Sequence, residues 1–79
     1  MEDDMQAELD ARGLLCPLPV LKARKRLSAL KAGESLRLLA DDPAAVIDVP
    51  HFCAEQGHAL VSEEALGGAL RAYVIRKGG

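Results

Sequence analysis

The most informative stretch of this sequence reads Leu14-Leu15-Cys16-Pro17-Leu18-Pro19, and it marks the start of a helix. Proline is tolerated in the first turn of a helix, because the N–H group that it lacks would have had no partner within the helix. Beyond this stretch the apolar residues Val20, Ala23, Leu27 and Leu30 recur at spacings of three and four. The pattern predicts a helix from Pro17 to about Lys31, ended by Gly33 in a left-handed cap conformation.

Alternating apolar and polar residues predict strands on both sides of this helix. Met5, Ala7 and Leu9 form the first pattern, and Leu36, Leu38 and Ala40 form the second. Two further strands are predicted at 58–64 and 69–77, and Gly67-Gly68 lies between them where a hairpin would turn. The sequence therefore predicts four strands.

A second helix is predicted to begin near Pro43, with Asp42 as its N-cap. Its apolar residues continue at helical spacing through Val46, Val49, Phe52, Cys53 and Gln56. Pro50 removes one N–H donor, so we expect it to kink or restart the helix, and we expect Gly57 to end it.

These elements follow one another as strand, helix, strand, helix, strand, strand. The simplest arrangement is an α+β fold, a two-layer βαβαββ sandwich with both helices packed on one face of a four-stranded mixed sheet. The 79 residues form a single domain, residues 1–79, with a small core, since a chain of this length buries only about 60% of its unfolded surface.

The charge distribution is uneven, although the net charge is only −2. Residues 12–32 contain no Asp or Glu, whereas the first helix carries the basic residues Lys22, Arg24, Lys25 and Arg26. Such a run is often a solvated helix face, and here it is equally a candidate docking surface for acidic partners. Direct nucleic-acid binding is not expected, because only Phe52 and Tyr73 are aromatic and the rest of the chain is acidic.

Location and redox state follow from the ends and the cysteines. The start Met1-Glu2-Asp3-Asp4 is unlike a positively charged signal peptide, and no apolar run reaches the roughly 18 residues of a membrane span. We therefore expect a cytoplasmic protein that does not associate with membranes. Cys16 and Cys53 are expected to be free thiols in that reducing compartment.

Cys16 is the candidate reactive residue. A thiol at a helix amino terminus lies beside unpaired N–H groups and the positive end of the helix dipole, which predicts a lowered pKa and a larger thiolate fraction. The prolines stiffen this turn, so the N–H groups of Leu18 and Val20 are predicted to point at the sulfur. A moderate shift suits a group that both accepts and passes on sulfur, because nucleophilicity falls with pKa.

The other potential ligands are assigned to packing. Cys53 lies on the apolar stripe of the second helix, which favours a buried core thiol over a resolving or metal-binding one. His51 and His58 flank it, but two histidines and two distant cysteines lack the spacing of known zinc sites. No metal and no cofactor are expected.

The residues 9–19, with Cys16-Pro17-Leu18-Pro19 at their end, resemble the Cys-Pro-x-Pro signature of the TusA/SirA-like sulfur-carrier proteins. The likeness continues through Asp41-Asp42-Pro43, residues 48–53, Gly57-His58 and residues 75–79. The resemblance implies that Cys16 accepts sulfane sulfur from a cysteine desulfurase or rhodanese as a persulfide and relays it to an acceptor protein. Turn chemistry gives Asp10 and Gly13 supporting roles in the turn before the helix, and Pro17 and Pro19 support the helix start. The sulfur would serve tRNA 2-thiouridine synthesis, molybdenum cofactor assembly or sulfur oxidation.

Two other functions remain open at this stage. Gly78-Gly79 is similar to the end of ubiquitin-like carriers, which hold sulfur as a terminal thiocarboxylate, although those folds open with a hairpin before their helix. A regulatory binding module would not need the thiol at all. If the first two strands run parallel, Asp41 and Asp42 emerge at the same sheet edge as Cys16, where Asp42 is favoured as a helix cap over a proton-transfer group.

Overall fold

The computed structural model of the protein describes residues 6–79, and it contains the six elements in the predicted order. The elements are β1 (Gln6–Asp10), α1 (Leu18–Ser28), β2 (Ser35–Ala40), α2 (Ala45–Gln56), β3 (Ala59–Gly67) and β4 (Leu70–Arg76). The predicted contribution of Met5 to the first strand lies outside the described residues.

The four strands form one mixed sheet in the order β1-β2-β4-β3. β1 and β2 are parallel and are connected through α1, whereas β4 pairs antiparallel with both β2 and β3. Because β1 and β2 are parallel, the loops that follow them leave the sheet at the same edge. The α+β sandwich predicted from the sequence is confirmed.

The core lies between the helices and one face of the sheet. The register places Leu36 opposite Ile75 and Leu38 opposite Tyr73, and all four side chains are buried. The helices supply the buried residues Ala23, Leu27, Val49, Phe52 and Cys53. On the opposite face, Arg37 Nη1 donates to Glu8 Oε2 across neighbouring strands at 2.7 Å. The two sheet faces therefore differ in polarity, as a two-layer fold requires.

The end of α1 differs from the prediction. The helix stops at Ser28, and residues up to Glu34 form turns in which Lys31 N donates to Glu34 Oε1 at 2.7 Å. Gly33 has a positive φ of 92° but does not cap the helix; its N–H donates to Lys77 O at 2.9 Å. The apolar spacing misled the prediction because Leu30 packs against the core from a turn.

The second helix begins at Ala45, two residues after the predicted start at Pro43. Residues 43–44 form a turn, in which Ala45 N donates to Asp42 O at 2.9 Å. The helix continues through Pro50 as one element and ends at Gly57, whose φ of 76° confirms the predicted left-handed cap. β3 continues to Gly67, beyond the predicted end at Glu64.

Candidate functional site

Cys16 lies on the surface, immediately before Pro17, the N-cap of α1. The Cys16–Pro17 peptide bond is cis. Pro19 is buried in the first turn of the helix, whereas Leu15 on the other side of the cysteine is 70% exposed. The thiol is thus presented to solvent beside an anchored helix start.

Two consecutive aspartates fasten the cysteine loop to the end of β2. Cys16 N donates to Asp42 Oδ2 at 2.6 Å, and Gly13 N donates to Asp41 Oδ1 at 3.0 Å. The second oxygen of Asp42 accepts from Ala44 N at 3.1 Å. The two aspartates do emerge beside Cys16, but the prediction that Asp42 is the N-cap of α2 is wrong, because the N-cap is Ala44. Asp42 instead connects the cysteine loop to the turn that precedes α2.

The turn after β1 is held by a local ion pair. Asp10 accepts hydrogen bonds from Arg12 N, Nε and Nη2 at 3.0, 2.9 and 2.8 Å. These bonds, followed by the nearby Arg12 charge, lower the pKa of Asp10 to about 2. Gly13 follows with a φ of 82°, a conformation that glycine adopts without strain. Asp10 and Gly13 therefore shape the loop that leads to Cys16.

The electrostatic prediction for the thiol is wrong. A hydrogen bond to the Asp48 carboxylate, together with partial desolvation and the charges of Asp48 and Asp42, raises the pKa of Cys16. One of the two predicted donors is also occupied, since Leu18 N donates to Leu15 O at 2.8 Å. Carboxylates next to the sulfur favour the protonated form of the thiol, which is the opposite of the effect predicted for the positive end of α1.

A cavity of about 190 Å³ opens beside the thiol. It is lined by Cys16 and by Pro17, Val20, Asp48, His51, Phe52 and Glu55. Within this lining, His51 Nε2 lies 3.5 Å from Glu55 Oε2. The sequence prediction did not include Asp48, His51 or Glu55 in the site. Their spacing of three, four and seven residues places them on one side of α2 and was the available signal.

The basic residues of α1 are all exposed: Lys22, Arg24, Lys25 and Arg26. At 100° per residue, Lys22 and Lys25 share the outer face of α1 with the exposed Leu18 and Leu21, and the two arginines lie on its flanks. Arg26 Nη2 donates to Glu8 O at 3.1 Å. None of the four lines the cavity, so the basic face and the cavity are distinct features.

Cys53 is buried in the core with 2% exposure, and burial raises the pKa of its thiol. The ring of His58 lies against the ring of Phe52, the neighbour of Cys53 in the chain. Its Nδ1 accepts a hydrogen bond from Gly78 N at 3.0 Å. Within residues 6–79, no three His, Cys, Asp or Glu side chains are grouped so that they could hold a metal ion. Among the same residues, no helix is long and apolar enough to cross a lipid bilayer.

An exposed cysteine before a short helix, on a mixed four-stranded sheet covered on one face, defines a small α+β protein with an accessible thiol. Residues 7–77 match the family described as "Sulfurtransferase TusA", and the chain belongs to this family. The family supports a sulfur-carrier role in sulfur transfer between proteins.

The fold is similar to the crystal structure of a SirA-like protein from Desulfitobacterium hafniense. The TM-score is 0.80, and the match covers 92% of this chain and 99% of the other at 24% sequence identity. At that identity the similarity concerns the fold alone.

Proposed function

We propose that this protein is a cytoplasmic sulfur carrier that accepts sulfane sulfur as a persulfide on Cys16 and passes it to a downstream protein. Membership of the TusA sulfurtransferase family is the observation on which the proposal chiefly rests. The contrast between the two cysteines supports the choice of sulfur atom, because Cys16 is exposed and Cys53 is buried.

The transfer consists of two thiol exchanges without net oxidation. The Cys16 thiolate attacks the outer sulfur of a donor persulfide, so that a new S–S bond forms on Cys16, the donor S–S bond breaks and the donor cysteine leaves as a thiolate. An acceptor thiolate then attacks the outer sulfur on Cys16. A new S–S bond forms on the acceptor, the S–S bond on Cys16 breaks, and Cys16 leaves as a thiolate. Each step conserves the number of S–S bonds, and neither step requires a metal or cofactor.

The donor is a cysteine desulfurase or rhodanese, and the acceptor is a sulfur-relay protein. The exposed residues Lys22, Arg24, Lys25 and Arg26 are proposed to dock acidic surfaces of such partners. Direct binding of nucleic acid is not part of the proposal. The relayed sulfur would enter tRNA 2-thiouridine synthesis, molybdenum cofactor assembly or sulfur oxidation.

The test is to incubate the protein with a cysteine desulfurase, pyridoxal phosphate and cysteine, and to map added sulfur by mass spectrometry. Wild type and Cys53→Ala should each gain sulfur on the peptide that contains Cys16, and Cys16→Ser should gain none. Cys53→Ala is the matched control, because alanine avoids placing a hydroxyl in the core. Sulfur retained by Cys16→Ser would overturn the site assignment.

The same experiment addresses the two alternatives. A ubiquitin-like carrier would bear sulfur on the peptide that ends in Gly78-Gly79. Such folds open with a hairpin, whereas in this protein α1 directly follows β1 and the hairpin comes last. A regulatory module would function equally well as Cys16→Ser. Sulfur on the terminal peptide, or full in vivo complementation by Cys16→Ser, would favour the corresponding alternative.

A further inference from the structure

We propose that the cavity beside Cys16 is a docking site for a lysine or arginine side chain of the sulfur partner, and that this cation activates the thiol within the complex. The inference deepens the proposed function, on which it rests, by assigning a partner chemistry and a form of regulation to the same site.

The shape of the cavity fits a long side chain with a charged end. Its volume is about 190 Å³, and for comparison an engineered apolar cavity of about 150 Å³ accepts benzene. Pro17, Val20 and Phe52 contribute apolar surface, and Asp48 and Glu55 contribute carboxylates. Lysine and arginine bury their aliphatic stems against apolar surface while the charged head remains at a polar rim.

The charge around the cavity is strongly one-sided. The lining contains two carboxylates, Asp48 and Glu55, and His51 is its only base. A third carboxylate, that of Asp42, lies nearby and accepts the backbone N–H of Cys16. His51 already lies 3.5 Å from Glu55. The lysines and arginines of α1 do not line the cavity. A partner group complementary to this surface is therefore cationic. The acidic partner surfaces that are proposed to dock on α1 lie elsewhere on the partner.

The same carboxylates explain why a cation bound in the cavity would change the reactivity of the Cys16 thiol. In the free protein Asp48 lies beside Cys16 in the cavity lining, and the interaction of its carboxylate with the thiol raises the pKa of Cys16. A cation paired with Asp48 offsets that negative charge, so the thiol releases its proton to solvent more readily and the thiolate becomes available for exchange. Reactivity would then rise only against a partner that brings the matching charge.

Small disulfides of different charge test this selectivity without a partner protein. The Cys16 thiolate attacks one sulfur of the probe, a mixed disulfide forms and half of the probe leaves as a thiolate. The probes are cationic cystamine, neutral hydroxyethyl disulfide and anionic dithiodipropionate. Rates are measured in a Cys53→Ala background and divided by the rates for the same protein unfolded in urea, which removes the intrinsic reactivity of each probe.

The expected result is a normalised preference of about tenfold for cystamine over dithiodipropionate at low salt, with the neutral probe between them. High salt should reduce the preference, because exposed charges are screened. Asp48→Asn and Glu55→Gln should each reduce it, and Glu64→Gln on β3 should not. The Glu55 side chain is 62% exposed, so Glu55→Gln should leave the fold intact. This variant keeps the test valid if Asp48→Asn fails to fold.

Equal normalised rates for the cationic and anionic probes would overturn the inference. So would a preference that survives both Asp48→Asn and Glu55→Gln, since the selecting charge would then lie elsewhere. These outcomes are distinct from failure of the proposed function: loading of Cys16 by a desulfurase without charge preference sinks only the cavity proposal. Charge preference without sulfur loading sinks the carrier function itself.

Discussion

The carboxylate of Asp42 accepts a hydrogen bond from the backbone N–H of Cys16 at 2.6 Å, although the two residues belong to different loops. Its other oxygen accepts from Ala44 N, in the turn before α2. A single side chain thus sets the position of the cysteine relative to α2, which supplies most of the polar lining of the neighbouring cavity. The predictions below begin with this contact.

Replacement of Asp42 by alanine should destabilise the protein by about 1–2 kcal/mol, because two backbone N–H groups lose their acceptor. Urea denaturation monitored by circular dichroism measures the change. Asp42→Asn retains one carbonyl oxygen and should lose less stability. Glu64→Ala, on β3, serves as the control and should have little effect. A midpoint for Asp42→Ala equal to that of the wild type would contradict the structural role.

Asp10 should titrate with a pKa of about 2, and Arg12→Ala should return it to an ordinary value. NMR titration of the Asp10 carboxyl carbon measures both values, and Arg37→Ala is the matched control. Since the folded pKa lies below the unfolded value of about 3.9, the ion pair stabilises the fold above that pH. The stabilisation is lost as the pH falls towards 2. Titration of wild-type Asp10 near 3.9 would contradict the contact.

Protonation of His58 should loosen the C-terminal tail, because its Nδ1 accepts the N–H of Gly78 at 3.0 Å. Burial, and then the charge of Lys77, lower the pKa of His58. The folded pKa is thus below the unfolded value of about 6.5, and this contribution to stability is complete above pH 6.5. It is lost as the pH falls through the folded pKa.

Hydrogen exchange at the Gly78 amide measures this release, and exchange corrected for intrinsic rates should accelerate below the pKa of His58. His51→Ala leaves the contact intact and is the control. Gly78→Ala should free the tail at every pH, because a Cβ there would overlap the carbonyl oxygen of Gly57. Corrected exchange that does not respond to pH in the wild type would count against the His58 contact.

Alkylation by iodoacetamide should modify Cys16 in the native protein and leave Cys53 unmodified. Cys53 has 2% exposure and a pKa raised by burial, so it reacts only when the protein unfolds. Peptide mapping before and after addition of urea distinguishes the two sites. The rate for Cys16 should rise in Asp48→Asn, because loss of the carboxylate lowers the thiol pKa. Equal native rates for the two cysteines would refute the assignment.

The order of the elements was predictable because the helices and the first two strands have apolar periods of their own, and Gly67-Gly68 indicates the turn between the last two strands. The end of α1 was not, since Leu30 keeps helical spacing while its backbone has already left the helix. Pro43 is a favourable first helical residue when only its neighbours in the chain are considered. In the structure it lies instead in a turn that Asp42 holds by a hydrogen bond. Local signals thus identified elements more reliably than their ends.

The position of Cys16 was also predictable, but its electrostatic environment was not. The effect of a helix terminus can be inferred from neighbouring residues in the chain. Asp48 comes from the other helix, and only folding brings its carboxylate to the thiol. A tertiary contact therefore reversed the direction of the predicted pKa shift.

Strand β3 forms an outer edge of the sheet, and its pairing with β4 is irregular in two places. The register shifts between Leu60 and Ser62 and again between Ala65 and Gly67. Such interruptions twist an edge and break the regular spacing of its N–H and C=O groups. The acidic pair Glu63-Glu64 lies between them. This margin is a poor template for an added strand, which disfavours fibril-like growth at high cellular concentration.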